Sequence, residues 1–253
     1  MKLSRAVIIR TVHVAFAVVL IAALESLVAS GQLSELILSR PSRVVVRLWH
    51  DLFGAELWQS LAVTLREVFA SFALSMVVGS GLGLAFYRYG AFRRAVEPPL
   101  VAFYSAPAIL LYPVFVTLLG AGSATVITMA VIIGATPIAI NIAVGLTGIE
   151  PIWRKVGRSL LATPWQMLLR ILLPAAIPTI VTGFRLGLTF ALIAVISLEF
   201  LLYSGGLGKL VSWRYYTFDT DGVYSAIVLV ATVAVVMNGR LNGLEAWARR
   251  HWS

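Results

Sequence analysis

The sequence predicts an all-α integral membrane protein with six spans, and three observations carry that reading. Sixty per cent of the 253 residues are apolar, and only 12 % are charged. A soluble domain holds roughly 45–50 % apolar residues and about 25 % charged, so this chain has too few charges to cover a watery surface. Uncharged runs recur near the roughly 20 residues that a membrane helix needs. The basic residues gather on alternate segments between those runs. An ordinary soluble enzyme, a disordered chain and a nucleic-acid-binding domain are all poor fits. The chain has no cysteine, which excludes disulfides, Cys-ligated zinc and thiolate chemistry, and its three histidines (His13, His50, His251) are scattered.

The first span is expected near 9–30, where Arg10 and Glu25 bracket 14 uncharged residues. A secretory signal peptide is the competing reading, because Lys2 and Arg5 precede the run and Val28-Ala29-Ser30 resembles a cleavage site. The second span is the uncharged run from Val68 to Tyr87. Between Glu97 and Glu150 lie 52 uncharged residues, about 78 Å of helix, enough for two crossings. Gly120-Ala121-Gly122-Ser123 is the turn between them. Spans three and four therefore fall near 99–119 and 123–146. A fifth span near 175–202 is interrupted only by Arg185, and the sixth runs from Gly222 to Gly239.

Six spans put both termini on one side. That set of ends and loops holds 13 basic residues: Lys2, Arg5, Arg10, Arg88, Arg93, Arg94, Arg154, Lys155, Arg158, Arg170, Arg240, Arg249 and Arg250. The opposite set holds five: Arg40, Arg43, Arg47, Lys209 and Arg214. The positive-inside rule then predicts cytoplasmic termini, and the net charge of +9 reports orientation rather than a polyanionic partner.

Two segments outside the spans carry amphipathic patterns. In the outer one, Pro41 starts a helix with Val45, Leu48, Trp49, Leu52 and Phe53 on one face and Arg43, Arg47 and Asp51 on the other. This reads as an interfacial helix packed as a collar over the bundle. In the inner one, residues 147–172, Trp153, Val156, Leu160, Leu161, Trp165, Leu168 and Leu172 recur every three to five positions between basic residues. Thr163 is placed to cap a short helix with Pro164 at its first position, and Leu173-Pro174 then marks the membrane entry. The apolar face of this insert must cover its own bundle, the bilayer surface or a docked subunit.

Ionisable and helix-breaking residues inside spans are the candidates for a solute pathway. Arg185 could attract an anion, or it could snorkel or pair locally. Glu199 lies 14 residues further on, about 21 Å along the helix, so the two cannot pair directly and Glu199 is expected to cap a structural contact. Pro107 and Pro113 should kink the third span. Tyr104, Ser105, Tyr112 and Asn141 offer hydrogen bonds, as pathway lining or as helix–helix contacts. Gly79-x-x-x-Gly83 should permit close helix packing.

The run from Lys155 through Leu161-Ala162-Thr163-Pro164-Trp165-Gln166 to Ile171-Leu172-Leu173-Pro174 resembles the cytoplasmic Glu-Ala-Ala signature loop of ABC importer permeases. Ile171, Leu173 and Pro174 match its Ile-x-Leu-Pro close. Ala162–Gln166, Leu172–Pro178 and Thr182-Gly183-Phe184-Arg185 are similar to the nitrate/sulfonate/taurine branch. So are Gly54–Trp58, Ala106-Pro107, Tyr112-Pro113, Glu199, Gly206-Leu207-Gly208 and the Trp/Arg-rich end, and about 200 residues are covered. The sequence departs from the pattern at Lys155, which replaces the acid, at Val156-Gly157, which replace the alanine pair, and at Leu161, which replaces the turn glycine. Glu67 stands where this branch often has arginine.

The resemblance implies a type I importer permease, one transmembrane domain over 1–253 with a core at 60–240 and a coupling loop at 147–172, in the bacterial plasma (inner) membrane. It implies a second permease copy, identical or not, two cytoplasmic ATPases docking at Lys155, Gly157, Leu160, Leu161, Ala162, Thr163, Pro164 and Trp165, and an extracytoplasmic solute-binding protein. Nitrate, sulfonates, taurine, bicarbonate and vitamin precursors all suit it as solutes. ATP and Mg²⁺ would sit on the ATPase: Gly208-Lys209 is followed by Leu210, without the Ser/Thr of a phosphate-binding loop. The alternatives are a stand-alone carrier or channel, or a membrane enzyme. Neither an inverted repeat nor a catalytic spacing supports them.

Overall fold

The computed structural model describes residues 2–105 and 108–252, and every regular element among them is helical. In chain order these are α1 (Lys2–Ala29), α2 (Pro41–Leu52), α3 (Ala55–Arg88), α4 (Gly90–Ser105), a 3₁₀ turn (Ala108–Leu111), α5 (Tyr112–Leu119), α6 (Ser123–Thr147), α7 (Pro151–Ser159), α8 (Pro164–Met167), a π turn (Leu168–Leu172), α9 (Leu173–Leu202), α10 (Gly206–Tyr216) and α11 (Thr220–Trp252).

Helices α3, α6 and α9 form the centre, and α6 is the most buried of the long apolar helices. Lipid tails are as apolar as leucine, so tight packing rather than water exclusion must hold such helices together. Small residues make the approach possible. A Cβ added at Gly79 would fall 2.7 Å from Ile138 Cβ, and one at Gly83 would fall 2.7 Å from Ile142 Cβ. Gly134 of α6 and Gly187 of α9 meet in the same way, the carbonyl of each within about 3 Å of a Cβ built on the other. Val68, Val126, Met129, Leu192, Val195 and Leu198 fill the space around these contacts. By contrast, the described side chains of α1 are almost all exposed.

Among the described residues, five helical stretches are long and apolar enough to cross a membrane: 11–29, 55–88, 123–147, 164–202 and 220–243. The third span expected near 99–119 is therefore corrected. It is not one helix but α4, which carries Pro98 and Pro99, then the 3₁₀ turn, then the eight-residue α5 with Pro113 in its first turn. Pro113 has no N–H to give the ladder, so the helix restarts there instead of continuing. The second span is longer than expected, because α3 already begins at Ala55.

The fifth span is corrected in the opposite sense. No break stands at Leu173-Pro174. α8, the π turn and α9 run on as a single 39-residue stretch from Pro164 to Leu202, about 58 Å long. Pro174 lacks an N–H and would press on the carbonyl of Arg170. The π turn at Leu168–Leu172 widens the ladder at that point, which lets the proline sit in line.

α2 forms where Pro41 predicts it, and it turns its Val44 and Asp51 side to the bundle. Val44 and Asp51 are buried, while Val45, Val46, Trp49 and Phe53 are exposed. The charged face turns inward because it finds partners there. Arg214 of α10 gives Asp51 two hydrogen bonds, at 2.7 and 3.0 Å. Ser225 Oγ donates to Asp51 at 2.7 Å, and Arg47 spans Asp51 and Asp219.

Candidate functional site

The end of the bundle formed by α7 and α8 exposes apolar side chains that no described residue covers. Leu160 and Trp165 are 72 % and 68 % exposed, and Leu161 is 90 % exposed. Ile152, Trp153 and Val156 extend the same surface along α7. The support beneath it is stiff. Thr163 Oγ1 accepts from the Gln166 N–H, and Gln166 Oε1 accepts from the Thr163 N–H at 2.9 Å. With Pro164 in the first turn, these bonds form a reciprocal cap. Gly157 is the one buried residue of α7, and a Cβ there would fall 2.5 Å from Met167 Cε and 2.8 Å from Ile171 Cδ1. Gly157 thus lets α7 lie directly on the base of the long rod. Arg154 donates to the Leu146 carbonyl at 3.0 Å and lies over the Tyr87 ring, tying α7 to α6 and α3.

Leu161 holds a positive φ of 52°. Its replacement of the turn glycine leads one to expect that the left-handed conformation is lost. The turn keeps the conformation and bears the strain, of order 1–3 kcal/mol for a side chain that disfavours it. Ala162 is half-buried behind it, and Lys155 is exposed. Two grooves flank the projection. One, about 550 Å³, lies between the end of α3 and Trp165, Met167 and Leu172. The other, about 800 Å³, lies among Val144, Trp153, Leu160, Arg170 and Pro174.

The described candidate pathway residues are not gathered in one cavity. Arg185 pairs with Glu245 of α11 at 3.1 Å and donates to Asn242 Oδ1 at 2.9 Å. Thr182 joins it by donating to Glu245 at 2.9 Å, and Thr189 bonds Asn238 one helical turn further on. Asn141 donates to the Pro137 carbonyl at 2.8 Å and packs against Gly183, where a Cβ would fall 2.7 Å from its own. Tyr112 lines an apolar cavity of about 520 Å³ with Ile196, Phe200, Val211 and Val230. Pro107 lies outside the described residues, as do the side chains of Tyr104 and Ser105.

Glu199 is fully buried at the opposite end from α7. Its Oε2 accepts from Thr64 Oγ1 at 2.8 Å and from the Gly208 N–H at 2.9 Å, and the Leu207 N–H donates to Thr64. Gly206 has a φ of 72°, and a Cβ there would fall on the Glu199 carboxyl. Only glycine can both take that turn and lie this close.

Several residues escaped the sequence reading. Gln166 was legible as the fourth residue of a Thr-x-x-Gln cap. Arg214 was not, since its partner Asp51 lies 163 positions away.

Residues 75–250 match a family described as the binding-protein-dependent transport system inner membrane component. The chain is 26 % identical to the taurine transport system permease protein of Escherichia coli, over 86 % of this chain and 82 % of that one. It is 28 % identical to the formylaminopyrimidine transport permease protein of Halalkalibacterium halodurans, with 83 % of each covered. Against the nitrate import permease protein of Synechococcus elongatus it is 25 % identical, over 75 % and 68 %. Among solved structures, an inward-facing methionine ABC transporter superposes with a TM-score of 0.61 at 22 % identity, covering 81 % of this chain and 96 % of that one. An amino acid ABC transporter with histidines gives 0.62 at 15 % identity, over 77 % and 93 %. At these identities the structures share the fold.

Proposed function

The chain belongs to the binding-protein-dependent transport inner-membrane component family, and from that premise we propose that it forms the membrane pathway of an ATP-driven importer of a small solute. The observation that carries the reading is the uncovered apolar projection of Leu160, Leu161 and Trp165 on a stiff, strained base. Two cytoplasmic ATPases, one per permease copy, would dock there, with Lys155, Gly157, Ala162, Thr163 and Pro164 shaping the contact. ATP and Mg²⁺ belong to those ATPases. A solute-binding protein would deliver its cargo at the end carrying α2 and α10.

Six crossings are then counted with the third discontinuous, and both termini lie in the cytoplasm of a bacterial cell, in accord with the basic residues on the α7 side. A helix broken at membrane depth is tolerated where it lines protein or a cavity, and the apolar cavity beside Tyr112 is such a place. The unbroken 39-residue rod gives the mechanism its simplest form. A displacement at Pro164 is carried along α9 to Glu199 without a hinge, which suits alternating access by rigid-body rocking. Arg185, already neutralised by Glu245, supplies less field to an anion than a free guanidinium would. The relatives are named for taurine, nitrate, riboflavin and formylaminopyrimidine transport, so the solute is expected among small organic or inorganic anions and vitamin-like heterocycles.

The test is reconstitution in vesicles with and without the cognate ATPase. ATP-dependent uptake that needs both is expected. Uptake driven by an ion gradient alone would make the chain a secondary carrier. Trp165→Asp and Leu160→Asp should abolish ATPase co-purification while membrane insertion stays normal. Unchanged co-purification would remove the docking role.

A further inference from the structure

Two glutamates from different helices meet in the interior without a cation between them. Glu67 of α3 is 1 % exposed and Glu199 of α9 is 0 % exposed, and Thr64, one turn before Glu67 on α3, donates to Glu199 at 2.8 Å, which brings the two carboxyls to the same point of the α3–α9 contact. Each has one oxygen already served. Ser123 Oγ donates to Glu67 Oε1, and Thr64 and the Gly208 N–H donate to Glu199 Oε2. The other two oxygens, Glu67 Oε2 and Glu199 Oε1, are buried and receive no hydrogen bond. Neither carboxyl makes a salt bridge among the described residues.

The surrounding donors cannot fill the gap. The Thr64 hydroxyl hydrogen is committed to Glu199, and its oxygen accepts from the Leu207 N–H. The Ser123 hydrogen is committed to Glu67, and its oxygen accepts from exposed Arg66 at 3.2 Å. The Gly206 backbone closes one side of Glu199 Oε1, because a Cβ there would already fall 2.1 Å from it. Two adjacent buried carboxylates cannot both ionise without a large penalty. One proton between them removes the second charge and satisfies both orphan oxygens at once. The remaining charge is well placed, since the N-terminus of α10 supplies its Gly208 N–H and the N-terminus of α6 begins at Ser123.

We propose that Glu67 and Glu199 form a proton-binding site, in which one shared proton fastens α3 to α9 and to the first turn of α10. Among the described residues no other ionisable side chain hydrogen-bonds or ion-pairs with either carboxyl. Arg66 reaches Ser123 rather than either carboxyl, and residues 123–147 of α6 contain no charge. On α9 the next charge is Arg185, about 21 Å along the helix. On α10, Lys209 stacks over Tyr203 and Arg214 is held by Asp51. On α11, Asp221 and Tyr224 are bonded to Ser39 and to the Ile37 carbonyl, and Tyr112 of α5 lines the apolar cavity. The inference stands apart from the transport reading, because it rests on packing between elements of one chain.

Infrared difference spectra of the full chain in lipid nanodiscs, titrated upward from neutral pH, test it. The expected result is one protonated-carboxyl band, lost in both Glu67→Gln and Glu199→Gln. The glutamine amide of Glu67→Gln can still donate to Glu199, so that variant should fold. It should also lose the alkaline fall in thermal midpoint that the parent chain shows, while lysine and tyrosine titrations common to both cancel. Absence of the band, or its survival in Glu67→Gln, overturns the proposal. So does a midpoint that follows sodium or calcium concentration instead of pH, which would put a metal cation between two ionised carboxylates.

Discussion

The two ends of the bundle solve opposite problems. At the end built from α2, α10 and α11, charged side chains are folded inward and pair with each other. Arg214 is 4 % exposed, yet three hydrogen bonds hold it, two to Asp51 and one to the Gly222 carbonyl. At the end built from α7 and α8, large apolar side chains point outward and the charges stay at the rim. One end pairs Asp51, Arg214, Arg47 and Asp219 inside the chain. The other has left apolar surface uncovered and keeps a strained Leu161 at its tip. Burying charge is tolerable only with full pairing, and a single chain can supply that. Covering an exposed leucine and tryptophan takes another surface. The contrast separates a latch whose charges are paired within the chain from an apolar tip whose leucines and tryptophan need a partner.

The sharpest way to break the comparison is to unpair the latch. Asp51→Ala leaves Arg214 buried without its carboxylate and should destabilise the chain by about 3–5 kcal/mol, measured as a drop in thermal midpoint with co-purification of an ATPase unaffected in the surviving folded fraction. The same pair makes the latch acid-sensitive. Burial pushes the Asp51 carboxyl up, but hydrogen bonds from Arg214 and Ser225, with the charges of Arg214 and Arg47, outweigh it and hold the group below its ordinary value of 3.8. A depressed carboxyl contributes stability that is fully present above its unfolded value and is lost as pH falls through the folded one. The parent chain should therefore lose stability in strongly acidic buffer, and Asp51→Asn should lack that part of the decline.

The next effect lies at the other end. Gly157→Val puts a branched side chain where Met167 and Ile171 already sit, an overpacking of about 1–3 kcal/mol. The expected readout is protease sensitivity confined to 147–172, with the latch intact. If the whole bundle unfolds instead, the two ends are not independent.

How much of this the sequence carried depends on the range of the interaction. Uncharged runs located every long apolar helix, and Thr163-Pro164 marked the cap, because both are local patterns. Three features were out of reach. The continuity of 164–202 depends on a π turn that accommodates Pro174, and no periodicity distinguishes that from a break. The face that α2 turns to the bundle is the second, because Asp219 lies 172 positions from Arg47 and Arg214 lies 163 positions from Asp51. Among the pathway candidates, Arg185 was read as an open choice between attracting an anion and pairing locally. Its contacts with Asn242 and Glu245 come from the far end of the chain.

The smallest effect bears most directly on why the α7–α8 tip is built as it is. Leu161 occupies a left-handed conformation that glycine would take freely, and its side chain makes no compensating burial. Leu161→Gly should relieve strain of about 1 kcal/mol, partly offset by the greater freedom of glycine in the unfolded chain. The folded chain should thus be unchanged or slightly more stable. If the tip were a mere connection, nothing else would change. If the projecting leucine fills a partner's pocket, the same variant should lower ATPase affinity by about tenfold or more, the scale of a buried leucine side chain in an interface. A stabilised chain with weakened docking would show strain retained at the tip because binding uses it. A stabilised chain with unchanged docking would shift the contact to Trp165 and Leu160 alone.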